Sequence, residues 1–298
     1  MKNHEIKSLE TNSFIKTNEV FPLKCIQLLV LLLFVSKIFG QEYDVLIQGG
    51  KVIDPKNNIN ALMDVAVADG KIVAVSPGIE AARAKRVINA KGLIVTPGII
   101  DIHGHHFYGT QPDSYLSNGF SALPPDGFTF RSGVTTVVDA GGAGWKNFST
   151  FKEQTIDRSK TRVLSFINIV GSGMKGGKVE QNIDDMDPGQ TAKLAREYPG
   201  LIVGVKLAHF SGPNWVPLDR VVEAGRLAEI PVMIDFGGSN PALSIEELFL
   251  EKLRPGDIFT HAYAHVKGRV PIVDEKCIVK PFVFKAKERG IIFDVGHG

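Results

Sequence analysis

The chain has 298 residues and a formal net charge of +2, and its composition is 44% hydrophobic and 22% charged. These values are typical of a folded globular protein and argue against a disordered chain. Basic residues are scattered and form no stripe with aromatic residues, so we predict no nucleic-acid partner. Two cysteines, Cys25 and Cys277, are too few for a disulfide framework or a cysteine-rich zinc site.

Residues 1–40 differ from the rest of the chain. A polar stretch ends at Lys24, and Cys25–Val35 is almost entirely apolar. This run is too short to cross a bilayer, which takes ~20 residues, and it matches the hydrophobic region of a secretory signal peptide. We predict cleavage after Gly40 and an exported protein with no stable membrane anchor afterwards. An incorrectly placed start and an uncleaved anchor are the alternatives.

Residues 41–96 consist of short apolar runs separated by turns. The pattern predicts strands at Tyr43–Ile47 and Lys51–Ile53, on either side of a turn at Gly49–Gly50. Asp69–Gly70 joins two further apolar runs and is the strongest short signal for a β-hairpin. No segment has helical periodicity, so we expect a small β unit.

From residue 97 to residue 298, apolar runs of strand length alternate with helical stretches. A parallel sheet that is buried on both faces gives this alternation, and eight such units close a (β/α)8 barrel. We therefore predict an α/β fold, an incomplete TIM-type barrel with seven of its eight strands. The predicted strands are Ile99–Ile102, Val134–Val138, Val163–Ile167, Ile202–Val205, Val232–Ile234, Ile258–Thr260 and Ile291–Phe293. The clearest helices are predicted at Gly189–Glu197, Leu218–Glu229, Ser244–Leu253 and Pro281–Arg289.

Polar side chains follow these strands at the carboxyl ends, where barrel enzymes carry their chemistry. His103 and His105 are two residues apart on the first strand, so both can face the barrel mouth and bind one ion. Lys206, Asp235 and His261 end the fourth, fifth and sixth strands. Such a His-x-His pair also occurs as ordinary polar residues, but His261 and Lys206 on later strands favour a metal site.

Lys206 has two interpretations. A lysine at the end of a buried strand can extend its amine to solvent along the apolar surface. Alternatively, burial lowers its pKa, and the neutral amine reacts with carbon dioxide. The resulting carbamate would be an anionic oxygen ligand that can bridge two metal ions.

Seven segments of the chain, in order, match a family signature. They are Tyr43–Gly50, Val52–Asp54, Gly92–His105, Gly133–Asp139, Gly204–Lys206, Phe259–His261 and Phe293–Gly298. The most specific part reads Thr-Pro-Gly-x-x-Asp-x-His-x-His. With these segments the chain resembles the amidohydrolase superfamily, in particular its amidohydrolase/deacetylase branch, which includes dihydroorotase-like and D-aminoacylase-like metal-dependent hydrolases.

The resemblance implies a (β/α)8 barrel and a small β-sandwich built from an N-terminal piece, which residues 41–96 match, and a piece after the barrel, which has no match in these residues. It also implies that His103 and His105 bind one metal ion, that a carboxylated Lys206 bridges two, and that His261 binds the second. One or two zinc ions are the expected cofactor. The family's strand-eight Asp, which activates water, has no counterpart here, and Asp294 lies on the seventh strand. We therefore expect a C-terminally incomplete chain whose catalytic base is unassigned.

The fifth strand departs from the family pattern. Members usually read Pro-Val-x-x-His there, whereas this chain reads Pro231-Val-Met-Ile-Asp235. Asp235 can ligate a metal through oxygen, so either the metal preference changes, or the second site is weak, or the site holds one ion. His297 in the Val-Gly-His-Gly motif and His209 beyond the fourth strand are predicted to contact substrate.

The function implied is hydrolysis of a small-molecule substrate by metal-activated water. The bond would be a non-peptide C–N bond, in an amide, a cyclic amide or an N-acyl group, or an acetyl ester. A homo-oligomer is compatible with the sequence. The alternative is a truncated or catalytically inactive barrel that still binds metal.

Overall fold

The structure, a computed structural model, describes residues 40–107, 109 and 122–296. The fold consists of two compact units that divide between Pro97 and Gly98. All of the predicted signal peptide except Gly40 lies outside the described residues, and so does His297. Within these ranges no helix combines the length and the apolar character needed to span a membrane.

The first unit is a five-stranded sheet. Strand β2 pairs antiparallel with both β1 and β3, while β4 and β5 run parallel to β1. A small core that includes Leu46 and Ala66 lies on one face. The strands are β1 Tyr43–Asp54, β2 Ile59–Ala68, β3 Lys71–Ser76, β4 Ala84–Asn89 and β5 Ile94–Val95.

The two glycine-containing turns predicted in this unit have different outcomes. The hairpin is confirmed, because Asp69 and Gly70 adopt φ values of 50° and 69°, as two-residue hairpin turns require. The prediction of a turn at Gly49–Gly50 is wrong, because β1 continues through both glycines and its pairing with β2 shifts next to them. Gly49 has a φ of 76°, and a Cβ on Gly50 would lie 2.5 Å from Val95. Two residues, Gln48 and Gly49, therefore stand opposite one residue of β2 and form a bulge within the strand.

The second unit contains seven parallel strands that neighbour one another in chain order, which confirms the predicted α/β barrel topology. Near-continuous apolar runs become the central strands because both faces of a parallel sheet are covered. The strands are β6 Ile99–Gly104, β7 Val134–Gly144, β8 Arg162–Asn168, β9 Ile202–Ala208, β10 Val232–Asp235, β11 Ile258–Phe259 and β12 Ile292–Phe293.

Helices connect several of these strands, and the four predicted helices are present with small shifts at their ends. The helix α3 begins after Asp187, whose carboxylate accepts the N–H of Gln190 at 3.0 Å. Two short helices, α1 and α2, were not predicted because they are too short to show a helical period. The helices are α1 Phe148–Gln154, α2 Gly177–Glu180, α3 Pro188–Glu197, α4 Val216–Ala228, α5 Ile245–Glu247, which continues as a π-helix over Leu248–Lys252, and α6 Pro281–Glu288.

The seven-stranded sheet curls so that the carboxyl ends of its two edge strands meet. Among the described strands, β6 and β12 are the edges and share no ladder. His103 in β6 nevertheless bonds to Asp294, directly after β12, at 2.8 Å. Ile100 and Ile292 on the two edges are 60% and 47% exposed. The sheet therefore has the curvature of a TIM-type barrel, and the polar strand ends converge.

Close packing around Gly204 in β9 generates the first prediction. A Cβ at this position would lie 2.2 Å from the ring of Phe166 and 3.0 Å from the carbonyl oxygen of Pro231. We expect Gly204→Ala to lower the free energy of unfolding by ~1–3 kcal/mol, because overpacking forces the neighbours apart. Denaturant unfolding of the variant measures this loss. Gly127→Ala, where nothing lies within 4 Å, is the matched control, and equal stability of the two variants would contradict the packing described.

Candidate metal site

Three histidine rings lie together at the carboxyl ends of β6 and β11. The ring centroid of His103 is 5.7 Å from that of His105 and 4.9 Å from that of His261. His103 is buried, and His261 has an unusual positive φ of 49°. A positive φ in a non-glycine residue is strained and is often found at functional sites. The structure thus brings together the three histidines that the sequence predicted as ligands.

Asp294 orients His103. One carboxylate oxygen of Asp294 lies 2.8 Å from Nδ1 of His103 and accepts the hydroxyl of Thr260 at 2.6 Å. Burial raises the pKa of Asp294, but the hydrogen bonds with His103 and Thr260 outweigh it and lower the pKa to about 2. Metal-ligating histidines commonly use their second ring nitrogen in this way. Sequence reasoning gave Asp294 no role because the family base belongs to a different strand.

A buried carboxylate fixes the loop that leaves β6. Asp139 in β7 is fully buried and accepts three backbone N–H groups. They come from His106 at 2.6 Å, Phe107 at 3.1 Å and Gly142 at 2.6 Å. The chain just beyond His105 is therefore held by β7. The Asp that follows the apolar run Val134–Val138 was visible in the sequence, but its backbone partners were not.

Lys206 does not extend to solvent. Its side chain is buried at the end of β9, and Nζ lies 3.5 Å from Sδ of Met233. Burial lowers the pKa of Lys206 to about 8, and nearby Asp235 and Asp294 limit the change. The Lys206 side chain packs against Gly141, where a Cβ would lie only 2.7 Å from Cγ of Lys206. The absence of a side chain at Gly141 therefore leaves room for the lysine. The amine therefore loses its proton far more readily than an exposed lysine does.

Asp235 ends β10 and faces cationic or imidazole groups. Its Oδ2 lies 3.3 Å from Nε2 of His209 and 3.6 Å from Nε2 of His261. Its Oδ1 lies 3.8 Å from a guanidinium nitrogen of Arg269. Burial raises the pKa of Asp235, but the hydrogen bond with His209 and the charge of Lys206 outweigh it, and the pKa falls below its ordinary value. Asp235 is therefore ionised at neutral pH.

His209 was predicted to contact substrate, and the structure places it between two carboxylates. Its Nδ1 lies 2.8 Å from Glu180 in α2, and its Nε2 faces Asp235. Hydrogen bonds with Asp235 and Glu180 raise the pKa of His209 to about 9. Glu180 is almost completely buried. Sequence reasoning missed it because α2 has four residues and follows a glycine-rich loop.

The predicted ligands are not arranged around a single point at which they could coordinate a metal ion. In the ranges that the structure describes, no three His, Cys, Asp or Glu side chains stand close enough together to hold a metal ion without rearrangement. The chemistry of the donors nevertheless fits a divalent ion, because imidazoles, a carboxylate and a lysine of low pKa share one end of the sheet. His297 lies outside the described residues, so its predicted substrate contact stays a prediction.

Comparison with known proteins agrees with this barrel. No family model matches the chain. A deacetylase from Agrobacterium fabrum is 32% identical over 210 residues, which are 67% of this chain and 47% of the relative. The crystal structure of an adenine deaminase superposes with a TM-score of 0.72 and 27% identity, over 86% of this chain and 66% of the other. The crystal structure of a dihydroorotase superposes with a TM-score of 0.64 and 28% identity, over 85% of this chain and 66% of the other.

The fold is that of a TIM-type barrel with a polar cluster at the carboxyl ends of its strands. The chain belongs to the amidohydrolase superfamily, as the resemblance indicated. It spans about half the length of the curated relatives that it matches.

The buried amine of Lys206 should make stability depend on pH. Its pKa falls from 10.5 to about 8, so the folded state binds this proton less tightly than the unfolded chain, and stability rises with pH between these values. We expect Lys206→Met to stabilise the metal-free protein by about 3 kcal/mol at pH 7 and by almost nothing above pH ~10.5. Urea unfolding in chelator-containing buffer depleted of carbon dioxide measures both values.

The control for this measurement is Lys193→Met, at an exposed position of α3. The difference in free energy of unfolding between Lys193→Met and the wild type should stay constant over the same pH range. A Lys206→Met difference that is equally flat would mean that the amine is not buried as described.

Proposed function

We propose that this protein is a metal-dependent hydrolase that cleaves a non-peptide C–N bond, as in an N-acyl amide or a cyclic amide, or an acetyl ester. The observation that carries the proposal is the buried Lys206, whose pKa is about 8, beside the imidazoles and Asp235 at the barrel mouth. Relatives named deacetylase, adenine deaminase and dihydroorotase support chemistry at a carbon–nitrogen bond.

The ligands of this proposed site are His103, His105, Lys206, Asp235 and His261, which would hold one or two divalent ions, with zinc as the expected metal. A bound divalent ion supplies activated water at neutral pH and polarises a carbonyl group. Imidazole nitrogens and carboxylate oxygens are ordinary zinc ligands. The site faces the end of the barrel where loops of variable sequence select a small-molecule substrate.

Lys206 would enter this site as a carbamate. The lone pair of its neutral amine attacks the carbon of carbon dioxide, and one proton leaves the nitrogen for solvent. A pKa of about 8 leaves a useful neutral fraction at neutral pH, whereas an ordinary lysine is almost entirely protonated. The carbamate would be an anionic oxygen donor at the position of the buried amine, and a divalent ion held by the neighbouring ligands would stabilise it.

Other side chains would position this machinery. Asp294 and Thr260 hold the ring of His103 through its Nδ1. Asp139 holds the backbone that follows His105. These contacts restrict the rings before any ligand binds, which reduces the cost of organising a site.

Metal content gives a direct test of the site. We expect the purified protein to carry one or two zinc or similar ions per chain, and His103→Ala and Lys206→Ala to lose most of this metal because each removes a ligand. Elemental analysis of protein passed through a desalting column measures the ratio. His265→Ala changes an exposed histidine and should keep the metal content of the wild type. A folded wild type without metal would contradict the proposal.

Activity is tested on a panel of N-acetyl amino acids, cyclic amides and acetyl esters. We expect hydrolysis of at least one class, loss of activity after chelation, and recovery when zinc is returned. His103→Ala should lower kcat/KM at least 100-fold, which corresponds to about 3 kcal/mol of transition-state stabilisation. A protein that binds metal but hydrolyses no member of the panel would support the inactive metal-binding barrel instead.

A further inference from the structure

We propose that His209 and Asp235 act together as ligands of one metal ion, with Glu180 as the residue that positions His209. The proposal rests on the metal-dependent function proposed above and specifies the part of that site in which the fifth strand offers a carboxylate. It assigns a metal-binding role to the imidazole that follows β9, which the sequence had associated with substrate.

Distances between the donor atoms support the pair. Nε2 of His209 and Nε2 of His261 lie 3.3 Å and 3.6 Å from the same oxygen of Asp235. Ligands at ~2.0–2.2 Å from a tetrahedral zinc ion are themselves about 3.3–3.6 Å apart. Each imidazole nitrogen is therefore separated from the carboxylate oxygen by about the distance that separates two ligands of one tetrahedral ion.

The contact between Glu180 and His209 supports a ligand role for this imidazole. The carboxylate of Glu180 lies 2.8 Å from Nδ1, so the other ring nitrogen, Nε2, is the one that faces Asp235. Ligand histidines usually have such a carboxylate on the nitrogen that does not bind the metal. Glu180 is itself fixed, because its second oxygen accepts the N–H of Gly176 at 2.8 Å.

The backbone around His209 is held from two sides. Its N–H donates to the carbonyl oxygen of Asp235 at 3.0 Å, and its carbonyl oxygen accepts the amide of Gln181 at 2.8 Å. Gln181 also accepts the N–H of Ser211 at 2.9 Å. With these restraints His209 keeps a φ of 54°, a conformation that is costly for a non-glycine residue. The side chain, although half exposed, is therefore directed at Asp235.

The two oxygens of Asp235 have separate partners. Oδ2 faces the imidazoles, while Oδ1 faces the guanidinium of Arg269 at 3.8 Å. Arg269 is anchored by the carbonyl oxygens of His261 at 2.9 Å and Ala264 at 2.8 Å. The guanidinium therefore lies on the side of Oδ1, and Oδ2 is the oxygen that faces the imidazoles.

The experiment titrates metal-stripped full-length protein with zinc and measures the number of bound ions and their affinity by competition with a chromophoric chelator. The variants are His209→Ala, Glu180→Gln and Asp235→His, with His209→Ala/Asp235→His as the rescue and His265→Ala as the matched histidine control. Cobalt loading adds a readout of the ligands, because the visible spectrum of bound Co²⁺ changes when a nitrogen ligand is lost. Thermal unfolding of each metal-free variant verifies the fold.

We expect His209→Ala to lose one zinc ion or to bind it at least 10-fold more weakly, and to change the cobalt spectrum. Glu180→Gln keeps the shape of the side chain and should weaken the same ion by ~10–100-fold, the usual effect of removing a partner of a ligand histidine. In the double variant an imidazole replaces the carboxylate at position 235, and it should recover part, but not all, of the affinity that His209→Ala loses, because one ligand is still missing. His265→Ala should match the wild type.

Two results would overturn the proposal, and they are distinct. If His209→Ala and Glu180→Gln both bind zinc as the wild type does, while His103→Ala loses metal, the metal-dependent function stands and the role of His209 is wrong. If the wild type binds no zinc or cobalt, the proposed function fails together with the ligand pair. Should His209→Ala not fold, the zinc affinity and the cobalt spectrum of Glu180→Gln decide the question.

Discussion

Burial of one lysine amine determines how the mouth of this barrel is organised. Lys206 lies at the end of a central strand, where water cannot solvate its charge, and its environment contains the carboxylates of Asp235, Asp294 and Asp139. A buried charge without partners would cost several kcal/mol. Burial and attraction by the carboxylates oppose each other, so the amine is neither an ordinary cation nor fully neutral.

The carboxylates of the site contact other protein groups in addition to the roles proposed for them. Asp294 orients a histidine, Asp139 binds backbone N–H groups, and Asp235 faces two imidazoles and an arginine. Each therefore has partners that fix its position in the absence of a metal ion. Hydrogen bonds of this kind hold the side chains of a site in order before a ligand binds.

Much of the fold could be predicted from local patterns. Apolar runs separated by helical stretches predicted all seven strands of the barrel sheet, because a strand covered on both faces is apolar at every position. The bulge at Gln48–Gly49 has the sequence signature of a turn, because paired glycines permit both. Which glycine approaches Val95 depends on a strand more than forty residues away, and such contacts have no local signature.

The ligand histidines could be predicted because strand ends converge in any parallel barrel, whereas their partners could not. Glu180 contacts His209 from a helix of four residues. Asp294 reaches His103 across the gap between the two edge strands. Neither contact follows from spacing along the chain, since each depends on the curvature of the sheet and on the path of a loop.

The hydrogen bond between His103 and Asp294 joins residues 191 positions apart. Contacts of such high sequence separation carry a large loop-closure entropy and form slowly. The orientation of the ring of His103 therefore depends on the curled sheet that brings the two edge strands together. Affinity for a metal ion at this ring would then serve as a chemical marker of the intact sheet.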